Sequence, residues 1–165
     1  MISRRKCHVG HIIQEKWVCG LFDVHQKIGV LEFVQDRTKN TLFPIIQKYV
    51  RGGTIIHSDS AAMYVNNAQQ ESHIINIPII PMPPYEHMWV NHTQNFVDPT
   101  KNACTNQVES FWKRAKQKNK EMNGTDSELL PSYLDKFQYR QIYGKTVESF
   151  DNILAHIAHF YPVNN

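Results

Sequence analysis

Two acidic residues, Asp59 and Glu109, occur at positions where a carboxylate could take part in chemistry. Asp59 ends the apolar run Thr54 to Ser58, and Glu109 lies near the start of a helical pattern from Thr105 to Lys120. Carboxylates held on rigid elements are suitable oxygen ligands for a divalent metal ion. Each also has an ordinary structural interpretation, because aspartate favours turns at strand ends and a glutamate four residues before a lysine stabilises an exposed helix.

Basic residues follow Glu109 along the same predicted helix. At about 100° per residue, Glu109 shares one stripe with several of them, while Val108, Phe111 and Trp112 fall on an apolar flank. The stripe is typical either of a solvated helix face or of a surface that contacts phosphate groups, and we favour phosphate contact. The cations are Lys113, Arg114, Lys116, Lys118 and Lys120.

Composition indicates a single globular domain over residues 1–165. The chain is 41% hydrophobic and 20% charged with a net charge of +3, and it contains no apolar run as long as a membrane span. The three cysteines have no paired spacing, which argues against a disulfide framework. The start of the sequence lacks an apolar signal segment. We therefore expect a protein that is not secreted and has no membrane partner, located in the nucleus if eukaryotic and otherwise in the cytoplasm.

The elements that must position these residues can be predicted from periodicity and turn signals. The expected order is a hairpin, a helix with Pro44 in its first turn, a strand buried on both faces that ends at Asp59, a proline-rich crossing, another strand, and three helices. This is an α/β or α+β fold with a mixed sheet, with a sheet core and helix in residues 1–124 and C-terminal helices in 125–165. The predicted ranges are 16–24 and 27–35 for the hairpin, 38–49 for the first helix, 54–59, 73–77 and 87–92 for the strands, and 105–120 for the helix with Glu109; the last two helices follow Thr125 and Gly144.

Four blocks of sequence resemble the DDE transposases of the ISXO type and their eukaryotic relatives, the Merlin elements. The resemblance covers nearly the whole chain, and the blocks occur in the order and at the spacing of that family. The blocks are Gly53–Asp59 with Tyr64, Val90–His92 with Phe96–Pro99, Thr105–Trp112 with Lys116, and Tyr133–Arg140 with Tyr143–Gly144.

The resemblance implies a ribonuclease-H-like domain that cuts and joins DNA with two divalent metal ions, Mg²⁺ or Mn²⁺. In the family pattern Asp59 is similar to the second metal-binding and catalytic acid and Glu109 to the third. Asn91 and His92, which precede a turn, are candidates either for active-site support or for capping and core hydrogen bonding. The first acid belongs to a strand that would precede Met1, so we expect a first catalytic strand to be missing and metal binding to be weak or lost.

Two functions are consistent with this resemblance. One is a transposase that acts in DNA transposition and recombination, with transposon ends and target DNA as partners; whether it forms a homo-oligomer is left open. The other is a truncated or domesticated remnant of a transposable element that has kept at most DNA or protein binding. Because the first acid is not found in the sequence, we expect the 1–165 chain alone to show no metal-dependent nicking of DNA.

Overall fold

A computed structural model of the chain describes residues 16–91, 104–121, 128–144 and 147–162. The described part is mixed α/β, with four α-helices and small sheets of two strands each. It divides into two compact units: one includes described residues up to Cys19 and from Phe33 to Ser110, and the other includes Gly20–Glu32 and described residues from Phe111 onward. Among the described residues, none of the helices is both long and apolar enough to cross a membrane.

The predicted hairpin is present at the start of the described chain. Strands β1 (Trp17–Asp23) and β2 (Ile28–Val34) pair in one sheet, and a link this short permits only an antiparallel pair. The carboxylate of Asp23 accepts the backbone N–H groups of His25 and Gln26 at 2.8 and 3.0 Å, which closes the turn. These contacts lower the pKa of Asp23, because they stabilise its charged form.

Helix α1 (Lys39–Tyr49) confirms the first predicted helix, which was expected over residues 38–49. Thr38 is its N-cap residue, and the Thr38 hydroxyl donates to Asp36 at 2.8 Å instead of capping the backbone. The Thr41 hydroxyl donates to the same carboxylate at 2.6 Å. Pro44 therefore lies inside the helix and not in its first turn, so that part of the prediction was wrong.

The first unit contains a parallel strand pair, β3 (Ile55–Asp59) with β6 (Glu86–Val90). The prediction that β3 is buried on both faces was wrong, because Ile55 is 49% exposed and Asp59 is also exposed. Among the described residues β6 is the only strand that pairs with β3, so the apolar run of β3 reflects partial cover and not a fully enclosed strand.

A second correction concerns residues 73–77, predicted as a strand. Two short strands, β4 (Val65–Asn66) and β5 (Glu71–Ser72), pair antiparallel just before them, and Ile74–Asn76 then form a 3-10 helix. Residues three apart share one face of a 3-10 helix, so Ile74 and Ile77 both enter the core. That core is completed by Ile46 and Tyr85, whose hydroxyl donates to the carbonyl of Val50 at 2.8 Å.

The second unit is built around Phe111 of helix α2 (Asn106–Glu121). Phe111 is completely buried and packs on Phe22 and Phe137, with ring centroids 5.4 and 5.7 Å away. Gly29 of β2 provides the space for this ring, because a Cβ atom there would lie 2.4 Å from its Cζ atom.

Helix α3 (Leu130–Tyr143) covers the backbone of β2 with two glutamine side chains. The Gln138 amide accepts the N–H of Leu31 at 2.9 Å and donates to its carbonyl at 3.1 Å. Gln141 makes the same pair of bonds with Gly29, at 3.2 and 3.1 Å. These side chains satisfy backbone groups that an edge strand otherwise exposes.

Helix α3 corresponds to the helix predicted after Thr125, and helix α4 (Ser149–Phe160) to the last helix, predicted after Gly144. Pro131 lies in the first turn of α3, where proline is tolerated. The predicted capping residue Thr125 lies outside the described residues.

Candidate functional site

The carboxylate of Asp59 stands at the carboxyl end of the parallel β3–β6 pair. Its Oδ1 atom accepts the N–H of Ala61 at 3.2 Å, so the side chain also shapes the turn that follows the strand. Asp59 is in register with Val90, the last residue of β6. The carboxyl ends of parallel strands meet at one edge of a sheet, where ligands commonly bind in α/β proteins.

The start of α2 is attached to the same face of β3. Side chains two residues apart on a strand point to one side, so His57 and Asp59 share a face. The backbone N–H of Cys104 donates to Nδ1 of His57 at 3.3 Å. This contact joins β3 to the segment that leads directly into the helix of Glu109.

Glu109 lies in the first turn of α2 and is exposed. The hydroxyl of Thr105, which is only 6% exposed, donates to Oε1 of Glu109 at 2.8 Å. A carboxylate in the first helical turn is also favoured by the helix dipole. The orientation of Glu109 is therefore set by a buried neighbour, although the residue itself is open to water.

Tyr64, one of the residues on which the family resemblance depends, is close enough to Asp59 to feel its charge. Burial raises the pKa of Tyr64 well above its usual range, and the charges of Cys19 and Asp59 add to this effect while Arg37 opposes it. The phenol is therefore neutral at physiological pH, and it packs against the core formed around Ile74. Tyr64 is therefore a neutral, partly buried phenol that belongs to the core near Asp59.

The two residues predicted to support the site have different outcomes. Asn91 follows Val90 directly and so leaves β6 at the same edge as Asp59. His92 lies outside the described residues. The structure thus brings Asn91 to the carboxylate edge, and its assisting role stays a prediction.

The predicted DNA-binding cations continue along α2 beyond Glu109. Lys113, Arg114, Lys116 and Lys120 are all exposed, and the side chain of Lys118 lies outside the described part.

Aromatic and glycine contacts fix the surface from which these cations project. The ammonium group of Lys116 stands 5.6 Å from the ring centroid of Trp112, a distance suited to a cation–π contact. Trp112 in turn packs against Gly20, where a Cβ atom would lie 2.7 Å from the indole ring. Trp112 therefore acts as a structural anchor for this part of the helix.

A hydrogen-bonded chain on the other face of the β3–β6 pair was not anticipated from the sequence. His87 is bonded through Nδ1 to the Ser72 hydroxyl at 2.7 Å and through Nε2 to the Ser58 hydroxyl at 2.9 Å. Ser58 also donates to the carbonyl of Asp59 at 2.6 Å. Since a hydroxyl has one proton, Ser58 accepts from Nε2, and in a neutral imidazole Ser72 then donates to Nδ1. The chain fixes the backbone of Asp59.

The hydrogen bonds from Ser72 through His87 to Ser58 border an open cavity of about 490 Å³ in the first unit. Trp89 stacks beside His87 along one wall, with ring centroids 5.3 Å apart. The sequence shows only that Ser58 and Asp59 are neighbours in one predicted strand and therefore point to opposite faces. His87 and Ser72 come from later segments, so their contact with Ser58 could not be read from the strand.

We expect Ser72→Ala to lower the free energy of unfolding by about 1 to 3 kcal/mol, the usual cost of removing one partner from buried hydrogen bonds. Ser72 is only 6% exposed, and its hydroxyl accepts the N–H of Ile74 at 3.1 Å besides bonding His87. Urea denaturation followed by circular dichroism measures the change. Ser60→Ala is the matched control, because Ser60 uses its carbonyl to bond Asn67; an equal loss in both variants would contradict the prediction.

Asp59 and Glu109 are the candidate metal ligands among the described residues. In residues 16–91, 104–121, 128–144 and 147–162, no three His, Cys, Asp or Glu side chains form a group that could hold a metal ion. Asp59 and Glu109 offer oxygen donors of the kind that Mg²⁺ prefers, and both are exposed. No protein-family model, curated protein or solved structure matches the chain.

Proposed function

We propose that this chain is a transposase-like domain of the DDE type, related to the ISXO and Merlin elements and built on a ribonuclease-H-like sheet. One observation carries the proposal: the N–H of Cys104 bonds His57, which links the first turn of α2 with Glu109 to the strand that ends at Asp59. Two carboxylates from distant parts of the sequence are thereby attached to one parallel strand pair.

In this proposal Asp59 and Glu109 are the residues that hold a divalent metal ion at the edge of the sheet. Both are carboxylates on rigid elements, and both are accessible to a ligand. A bound Mg²⁺ or Mn²⁺ ion would neutralise charge on a phosphodiester and polarise it. The contribution of the protein is to fix the two carboxylates, through the Ala61 N–H at Asp59 and the Thr105 hydroxyl at Glu109.

The exposed cations of α2 are proposed to contact DNA phosphates. They lie on a single helix, and an α-helix presents residues three or four apart on one side, so Lys113, Lys116 and Lys120 can meet the same strand of a nucleic acid. Phosphate contacts of this kind position a duplex without reading its sequence. We therefore expect binding that depends on salt and is indifferent to base sequence.

Nuclease assays on a short duplex of arbitrary sequence, in Mn²⁺, test the proposal. DNA binding together with cleavage that disappears in Asp59→Asn and Glu109→Gln would assign a working transposase domain. Binding of DNA and metal without cleavage would assign the non-catalytic descendant, which is the result we expect for residues 1–165 alone. A chain that binds neither DNA nor metal would overturn the proposal.

We expect Lys113→Gln and Lys120→Gln each to reduce the slope of log K for DNA against log salt by about 0.9, since each variant removes one phosphate contact. Fluorescence anisotropy at several salt concentrations measures the slope. Lys136→Gln is the matched control, because it removes the same charge from an exposed position on α3. If all three variants shifted the slope equally, the α2 cations would have no special role.

A further inference from the structure

Helix α4 exposes a continuous apolar surface, called here the α4 stripe. Its members recur at three- and four-residue spacing, so they share one side of the helix. They are between 41% and 76% exposed. The stripe consists of Phe150, Ile153, Leu154, Ile157, Phe160 and, just past the end of the helix, Tyr161.

The intramolecular contacts of α4 use a different side of the helix. His156 accepts or donates a hydrogen bond with the Tyr139 hydroxyl at 3.0 Å and packs edge-on against the ring of Tyr143. Asn152 donates to the carbonyl of Tyr143 at 3.4 Å. Asn152 and His156 are one turn apart, so α3 covers their side of the helix and leaves the stripe in water.

Burial against the described residues does not account for the stability of α4. All twelve residues of the helix are described, and none of them is buried. An isolated helix of this length is marginal in water, and helices in proteins are stabilised mainly by packing of their apolar side. A partner that covers the stripe would supply the missing packing.

The area of the stripe matches one side of a protein–protein interface. Aromatic side chains carry roughly 150 to 250 Å² each and aliphatic ones less. With 41% to 76% of each member exposed, the stripe presents roughly 500 to 800 Å², which is comparable with the roughly 800 Å² that one partner contributes to a standard interface. It lies at or above the upper end of the about 300 to 600 Å² that is usual for the largest apolar patch on a monomeric protein.

The chemistry of the stripe favours a protein partner with the same apolar character. Helix α4 contains no lysine or arginine, so it offers nothing to phosphate groups. A straight apolar stripe is also complementary to its own copy across a two-fold axis, because each residue can meet a residue of the same kind. We propose that the α4 stripe is the surface through which two copies of this chain form a dimer, with the two α4 helices packed side by side.

The test is the molar mass of the intact 1–165 chain in solution, measured by sedimentation equilibrium over roughly a hundredfold range of micromolar concentrations. We expect a dimer with twice the 19.3 kDa mass of one chain. A wild-type protein that stays monomeric throughout this range would overturn the proposal without reference to any variant.

Substitutions in α4 test whether the dimer forms through the α4 stripe. Ile157→Glu is expected to raise the dissociation constant of the dimer by roughly a hundredfold or more, because the two-fold axis brings a buried, unpaired charge from both copies into the interface. Ala155→Glu is the matched control, since it adds the same charge to the same helix at an exposed position outside the stripe. Far-UV circular dichroism establishes that both variants are folded.

If Ile157→Glu itself unfolds, Leu154→Ser provides a milder change at the centre of the stripe and is expected to weaken the dimer at least tenfold. A dimer of unchanged affinity in a folded stripe variant, or equal weakening by Ala155→Glu, would overturn the proposal. None of these results depends on metal or DNA, so the dimer and the proposed function can fail separately.

Discussion

Phe111→Ala is expected to lower the free energy of unfolding by about 3 to 5 kcal/mol, the range found when a buried phenylalanine is truncated. Phe111 is completely buried and is held between Phe22 and Phe137. The loss combines the transfer free energy of the ring with the cavity that remains between a strand and a helix. Urea denaturation followed by circular dichroism measures it in the purified chain.

Gly29→Ala tests the packing of Phe111 against β2 directly. A Cβ atom at Gly29 would lie 2.4 Å from Cζ of Phe111, so this substitution alone is expected to cost about 1 to 3 kcal/mol through overpacking. In the Phe111→Ala background the clash is gone. The double variant should therefore be more stable than the sum of the two single changes predicts, and strict additivity would show that the two residues are not in contact.

Local sequence signals were sufficient for most of the regular elements. The hairpin was predicted because two β-rich segments flank a polar link from Asp23 to Lys27, and α2 because Val108, Phe111 and Trp112 recur at helical spacing. In both cases the residues that determine the element are close together in the sequence. The corresponding elements, Trp17–Asp23 with Ile28–Val34 and Asn106–Glu121, lie within a few residues of the predicted bounds.

Short apolar runs were less informative, because a run of a few residues does not distinguish a strand from a buried turn. Within residues 73–77, predicted as a strand, Ile74–Asn76 form a 3-10 helix, at whose start the buried hydroxyl of Ser72 accepts two successive backbone N–H groups, those of Ile74 and Ile75. The run before Asp59 is a strand, but its burial depends on neighbours that the run itself does not encode.

The candidate site depended on contacts between distant segments. Asp59 and Glu109 were selected through a family resemblance, and no local pattern could have joined them. The bond from Cys104 to His57 links residues 47 positions apart. The chain from Ser72 through His87 to Ser58 likewise requires three separate segments to meet. Periodicity describes one element at a time, so it carries no information about tertiary contacts between distant segments.

Asp59→Asn and Glu109→Gln are each expected to abolish detectable Mn²⁺ binding by the 1–165 chain. Both changes keep the size of the side chain and an acceptor oxygen, for the Ala61 N–H at Asp59 and for the Thr105 hydroxyl at Glu109. They remove one of two carboxylates, and the affinity of an oxygen site for a divalent ion depends strongly on the number of charged ligands. Titration of the free Mn²⁺ signal in electron paramagnetic resonance measures binding directly and needs no activity.

Comparison of the variants tests whether the two carboxylates share an ion. With two carboxylates the wild-type chain should bind one ion weakly, with a dissociation constant on the order of millimolar. Glu86→Gln is the matched control, because Glu86 is an exposed carboxylate at the opposite end of the same strand pair, in register with Ile55. If Asp59→Asn alone removed binding while Glu109→Gln left it intact, the ion would belong to the strand and not to a site completed by α2. Loss in both variants, with binding retained in Glu86→Gln, is the pattern that a shared site requires, because neither carboxylate can hold the ion alone.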